Sequence, residues 1–393
     1  MEIKIESSSL LKAASLAATA KGDGKAMPIF STVLIRADKD KQSVSVACGT
    51  ESRLLKVNAD GENTAVAETG NGAIGFDLLA GLLRTVPEGT QLSLKTSGRK
   101  ADLSWPGGTA SVPCDGIADH NGVALEATGD ENETVLETRA DELLSALKAA
   151  ARCASGYSPL YPFLENLCIS VREGGAEIVG TDNKCLCVTS VSGKTEGNAS
   201  VLFPPAGFRA ALEMLSAAAD GEASLRVTQG DRRIAVLSAG DAVLSIVPAT
   251  GKFPDWQKLL GSIPAPAATV HVGSKDMSSA LERLSVTAEN GSLIEMSVKP
   301  GDDNKVEALA LEGRDLNMKS AGRENVPVKG EGTETFSTYH IPEMQKVVKN
   351  FPGAASLKFS VGGGQKTPLL VTFGDDCENV PQRKMLLVPV YSK

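Results

Sequence analysis

One layout occurs three times in this chain. In its middle copy, from Pro162 to Ser190, it reads as a strand (Leu164 to Val171), a tight turn at Glu173-Gly174-Gly175 and a second strand (Ala176 to Val179). A sharp turn at Gly180-Thr181-Asp182-Asn183 and an alternating third strand (Lys184 to Ser190) complete it. The layout also runs from Ser31 to Val57 and, with longer turns, from Leu293 to Ser320. The glycines closing the second strand of each copy, Gly49, Gly180 and Gly313, stand 131 and 133 residues apart. The helical segments keep the same period, with Leu10, Leu143 and Met277 separated by 133 and 134 residues, and Leu79, Phe208 and Met344 following roughly the same interval. A repeat of this length describes a triplicated domain rather than a short solenoid unit.

The chain has 393 residues, so each copy is long enough to bury its own core without metals or disulfides. A polar stretch from Asp115 to Asn132 and the Pro264-Ala265-Pro266 linker mark the boundaries, giving domains at 1–125, 131–261 and 267–393. Two short helices are expected in each. They are Leu10 to Ala20 behind the capping serines Ser7-Ser8-Ser9, Asp77 to Arg84, a helix opened by a capping box at Thr138-Arg139-Ala140-Asp141, Ala206 to Ala218, Lys275 to Thr287, and Ile341 to Lys349. With about eight strands per copy this is an α+β arrangement in which helices cover one face of an antiparallel sheet. Copies placed side by side can extend that sheet across their boundaries.

Composition removes several function classes. Apolar residues at 42% and charged residues at 22% fit a soluble globular protein. Seven cysteines, scattered and without a CxxC, argue against a disulfide framework or a zinc ribbon, and no metal or cofactor is expected. The N-terminal MEIKIESSSLL lacks a basic region followed by an apolar segment, and no run approaches a membrane span, so a cytoplasmic protein is expected. A formal charge of -8 argues against coating nucleic acid with the whole surface but allows a local basic lining. His120, His271 and His340 occupy unrelated positions, and no Walker loop, GxGxxG or HExxH occurs. The run Gly362-Gly363-Gly364-Gln365-Lys366 joins two strands and reads as a hairpin loop. Asp182 has counterparts in Thr50-Glu51-Ser52 and Arg314-Asp315-Leu316, and a recurring acid at a turn is explained by local Asx hydrogen bonding. Cys185 and Cys187 share one face of a strand and have no histidine partner, which points to core or groove lining. No catalytic residue is assigned.

With the triplicate plan in place, Met27-Pro28-Ile29-Phe30, Gly180-Thr181-Asp182, Val86-Pro87-Glu88-Gly89, Lys252-Phe253-Pro254-Asp255-Trp256 and Val388-Pro389-Val390 occur in order over the whole length. In these the chain resembles the bacterial DNA polymerase III beta subunit family, the replicative sliding clamps. The resemblance implies a head-to-tail homodimer closing a ring of six similar domains, with helices lining a hole that duplex DNA threads without being read by sequence. It implies a non-catalytic processivity factor of the cytoplasm and nucleoid that tethers replicative and translesion polymerases, the clamp loader and repair proteins. Lys12, Lys21, Lys25, Arg84, Lys148, Arg152, Arg209, Lys275, Arg283, Lys346 and Lys349, in or beside the six helices, would face the DNA. The family's peptide-binding groove would here be lined by Thr181, Asn183, Lys184 and Leu186, by Pro254, Lys258 and Leu259, and by Val388, Pro389 and Val390. The chain departs from the family at Asn183-Lys184-Cys185, where Gly-His-Arg is common, at its Val-Pro-Val-Tyr-Ser-Lys end, and at Pro205, where the family tends to place an Arg. Those departures imply a retained groove of altered shape. Two alternatives stand beside this reading: a non-enzymatic peptide-binding scaffold of the same fold that does not encircle DNA, and an enzyme using Asp182 with Cys185 or Cys187.

Overall fold

The computed structural model describes residues 1–25, 27–59, 61, 63–115, 133–228, 233–287, 293–314, 321–377 and 382–390. His120, Asp315 and Leu316 lie outside the described residues. Contacts divide the chain into two compact units, the first holding 1–145, 170–176 and 192–249 and the second 146–169, 177–191 and 250–393. The middle copy of the repeat contributes to both.

Seven α-helices are described: α1 (Ser7–Ala17), α2 (Phe76–Thr85), α3 (Ala140–Cys153), α4 (Phe208–Ala217), the short α5 (Trp256–Gly261), α6 (Ser274–Thr287) and α7 (Ile341–Lys349). Six of them are the expected two per copy. In five of them the period marked a fully buried residue, with Leu10, Leu79, Leu143, Met277 and Met344 all at most 1% exposed, whereas Phe208 at the start of α4 is only half-buried. Helix starts differ from expectation. Ser7, Ser8 and Ser9 lie inside the first turn of α1 and cap nothing, and the hydroxyl of Ser8 donates to the Glu6 carboxylate. Thr138 does not open α3, since it lies within a strand, Glu133–Arg139, and its hydroxyl donates to the Ser192 carbonyl at 2.7 Å. One strand also begins late. Pro28–Ser31 and Pro162–Glu165 form single 3-10 turns, with proline fixing the first φ, so the middle strand starts at Leu167 rather than Leu164.

In the first unit a five-stranded antiparallel sheet carries Glu2–Glu6 between Ala65–Glu68 and Gln91–Ser97. A nine-stranded sheet holds the first hairpin and continues into the second copy where Ala242–Ile246 pairs with Arg53–Asn58, in the register Ala242↔Val57 to Ile246↔Arg53. The Val247 N–H then donates to Ser52 O at 2.9 Å. Helix α1 buries Leu10, Ala13, Ala14 and Ala17, and the small side chains let it pack against α2, α4 and strand Ser43–Thr50.

The second unit repeats this device. Strand Cys185–Ser192 of the middle copy pairs with Arg383–Leu387 of the third, in the register Cys185↔Leu387 and Leu186↔Leu386. From there the sheet runs through Leu369–Phe373, Ser356–Val361, Ala268–Gly273, Ala321–Gly332, Lys305–Arg314 and Leu293–Val298 to Thr335–His340. Ala268–Gly273, Leu293–Val298 and Ser356–Val361 alternate strictly between buried and half-exposed residues, because one face packs into the core with α6 and α7. Cys185–Ser192 is buried through its first five residues instead. One core joins Cys153, Cys185 and Cys187 to Met277, Met344, Tyr339 and Phe359. Both seams are therefore made by backbone hydrogen bonds, as the extension of the sheet across copies requires.

Candidate functional site

The middle turn is built by its own side chains. Asn183 adopts φ +70°, a left-handed conformation that asparagine tolerates. Asp182 Oδ1 accepts the N–H groups of Lys184 at 2.9 Å and Cys185 at 2.8 Å, and the Thr181 hydroxyl donates to Cys185 O at 2.7 Å. This is the Asx hydrogen bonding expected of the recurring acid. The second carboxylate oxygen of Asp182 meets Lys346 Nζ at 2.8 Å, and the same ammonium stands 2.7 Å from Glu343 Oε2, one turn earlier on α7. Burial alone would lower the Lys346 pKa, but its hydrogen bonds to the two carboxylates outweigh that and leave it above the usual lysine value. Burial likewise opposes ionisation of Asp182, yet the Lys346 ammonium and the backbone N–H groups hold its pKa below the ordinary carboxylate range. Asp182, Cys185 and Glu343 bring ligand atoms within 4.8 Å of one another, the spacing of a metal site. The cation among them is the chain's own ammonium, which also lies 3.9 Å from Cys185 Sγ.

The C-terminal residues reach this turn. The last strand, Arg383–Leu387, stops short of Val388-Pro389-Val390, because Pro389 has no N–H with which to continue a ladder. Val388 still donates to Lys184 O at 2.9 Å, and Val390 donates to Thr338 O at 2.7 Å, on the strand at the other end of the sheet. Pro389 is buried and Val388 is 40% exposed. Thr181, Asn183, Lys184 and Leu186 are thus joined to Val388 through the sheet. Thr181 and Leu186 are buried, which leaves Asn183, Lys184 and Val388 to present the surface.

Pro254, Lys258 and Leu259 belong to the same compact unit. Asp255 caps α5 by accepting the Lys258 N–H at 3.0 Å, and Trp256 is buried beneath it. Pro254, Lys258 and Leu259 are all exposed. The hydrogen bonds and strand pairings that join the turn to the C-terminal residues do not extend to these three, so their place in the groove belongs to the proposal below. Sequence reasoning passed over the loop before the middle hairpin, where Tyr157 is 89% exposed, Leu160 83% and Tyr161 48%. Its signal was compositional, for two of the chain's four tyrosines fall within five residues there.

Of the eleven basic residues expected on DNA, ten are exposed and Lys346 alone is not. Arg283 is held by Glu324 in two hydrogen bonds of 2.8 Å. Lys21 lies 3.6 Å from Asp77. Arg152 donates to Lys349 O at 3.0 Å and to Asn350 Oδ1 at 3.1 Å.

All seven cysteines are free thiols, and all but Cys377 are buried. Hydrogen bonding with Cys153, followed by burial, pushes the Cys185 thiol far above the usual range, and burial pushes Cys48 up to about 12. A thiol so held is a poor nucleophile. A thiol-reactive dye added to the native protein is expected to modify Cys377 quickly and the other six only on unfolding. Rapid modification of Cys185 or Cys187 would restore the enzyme alternative.

The repeated domains, their two helices apiece and the continuous sheets define the sliding-clamp fold. No family model and no curated protein matches the chain by sequence. Solved structures of DNA polymerase III subunit β do match it in shape. The sliding clamp of Pseudomonas aeruginosa bound to griselimycin superimposes with a TM-score of 0.86 at 16% identity, over 100% of both chains. That of Bacillus subtilis gives 0.85 at 15%, and that of Bartonella birtlesii, also bound to griselimycin, gives 0.82 at 17%, again over 100% of both chains.

Proposed function

We propose that this chain is a DNA sliding clamp of the polymerase III β type, a non-catalytic processivity factor. Two copies join head to tail, each contributing half a ring through its three domains at 1–125, 131–261 and 267–393, and duplex DNA passes through the ring. The match to clamp structures over the full length, with no part of either chain left over, is the observation that carries this reading. The exposed Lys12, Lys25, Arg84, Lys148, Arg209, Lys275 and Lys349 support it further, set against an overall charge of -8. Scattered basic side chains meeting phosphates loosely hold a duplex without fixing its register, so the ring slides. Function then comes from topology, because a tethered polymerase that lets go rebinds at high effective concentration.

Partners, by this reading, are replicative and translesion polymerases and the clamp loader. They dock through short peptides on Asn183, Lys184, Pro254, Lys258, Leu259 and Val388, over the buried Thr181, Leu186 and Pro389 and the half-buried Val390. Exposed apolar groups such as Leu259 and Val388 are the kind of surface a Leu or Phe anchor covers. No helix among the described residues is long and apolar enough to cross a membrane; the clamp reading places the protein in the cytoplasm, at the nucleoid.

Light scattering is expected to give about twice the 40.8 kDa of one chain. Protein loaded on circular duplex should stay bound and be lost when the circle is cut. A monomer at micromolar concentration that shows no such release would overturn the clamp reading, and griselimycin binding without retention on circles would favour the scaffold.

A further inference from the structure

Lys346 is the exception among the basic residues of the helices, and its surroundings show what it does. The side chains of Lys346, Asp182 and Glu343 are 25%, 15% and 13% exposed. Its ammonium donates to Asp182 Oδ2 at 2.8 Å. Through Oδ1, Asp182 receives the N–H groups of Lys184 and Cys185. Lys184 in turn gives its carbonyl to the N–H of Val388. An unbroken chain of charge-assisted and backbone hydrogen bonds therefore runs from α7 to the two residues, Lys184 and Val388, that present the groove edge.

The corresponding seam in the first unit is built from different residues. There the Val247 N–H to Ser52 O bond is the counterpart of Val388 to Lys184, and Arg53 follows Ser52 as Cys185 follows Lys184. Arg53 donates instead to the backbone carbonyls of Ala20 at 2.9 Å and Lys21 at 2.7 Å. In the second unit the turn is met by a helix-borne ammonium, Lys346 on α7. We propose that Lys346 is a positioning residue of that groove rather than a DNA contact: held between Glu343 and Asp182, it fixes the turn so that Lys184 and Val388 stand preformed for a partner peptide. This rests on the groove reading given above.

Holding the turn in advance removes an ordering cost from binding, so the loss of Lys346 should appear in peptide affinity. Asp182 left beside Glu343 without the ammonium is two carboxylates in a half-buried site, and their repulsion should loosen the turn. Removing the Asp182 charge as well restores neutrality there, while an asparagine Oδ1 still accepts the two backbone N–H groups. The effects of the two changes should therefore fail to add.

The test compares wild type with Lys346→Met, Asp182→Asn and the double variant, in the full-length protein. Hydrogen exchange of the Lys184, Cys185 and Val388 amides should speed up at least tenfold in Lys346→Met and return towards wild type in the double variant. Griselimycin affinity should fall at least tenfold and recover in the same pattern. The salt dependence of DNA binding should stay as in wild type, whereas Lys349→Met should reduce its slope. Unchanged amide exchange in Lys346→Met overturns the proposal without recourse to any ligand. So does a reduced salt slope in that variant, or strictly additive losses, which would mark a phosphate contact or general stabilisation. If wild type binds no griselimycin while the exchange pattern holds, the groove reading fails and the anchoring of the turn stands.

Discussion

Gly180→Ala is expected to destabilise the chain by about 3 kcal/mol, at the upper end of the cost of overfilling a packed interior. A β-carbon there would stand 2.1 Å from the carbonyl oxygen of Ala150 in α3, with the carbonyl carbon at 2.8 Å. Both atoms are backbone, so the helix or the strand has to move. Gly313, at the corresponding place in the third copy, makes the control, since its nearest neighbour would be Leu284 Cδ2 at 3.4 Å, an ordinary contact. Gly313→Ala should shift stability by no more than about 0.5 kcal/mol. Urea titrations of the two variants read the difference as a lower midpoint for Gly180→Ala, and equal midpoints would show that α3 has room to yield.

On the proposed clamp reading, removing residues 388–393 should weaken griselimycin binding at least tenfold, about 1.4 kcal/mol. The cut takes away the exposed Val388 together with its bond to Lys184 O and the Val390 bond to Thr338 O. It leaves Arg383–Leu387 paired with Cys185–Ser192 and Leu369–Phe373, so the sheet persists and circular dichroism should be unchanged. Calorimetric titration that finds the same affinity in the shortened chain would place the ligand elsewhere.

Much of the fold is legible in the sequence, because period-2 and period-3.6 patterning is local and the triplication lets each copy check the others. The helices were placed within a few residues at each end. What failed at their starts were polar side chains with more than one use: Thr138 found the Ser192 carbonyl and Ser8 found Glu6, and nothing in the sequence ranks those partners against a cap. The candidate site was legible to the extent that it is made of a turn and a proline. Asp182 and Asn183 announce their geometry, and Pro389 announces the end of the ladder. Lys346 did not, because a lysine on an amphipathic helix reads as a solvated cation until the carboxylate opposite it is known. Asp182 is 164 residues away in sequence.

The two compact units divide the chain inside its middle copy, between Ser145 and Ala146 of α3 and again within the hairpin that follows. The length that is repeated and the length that packs together are therefore out of phase. Each outer copy completes its sheet with strands borrowed from the middle one, Ala242–Ile246 on one side and Cys185–Ser192 on the other. The middle copy thus lends strands to both units, whereas each outer copy belongs to one.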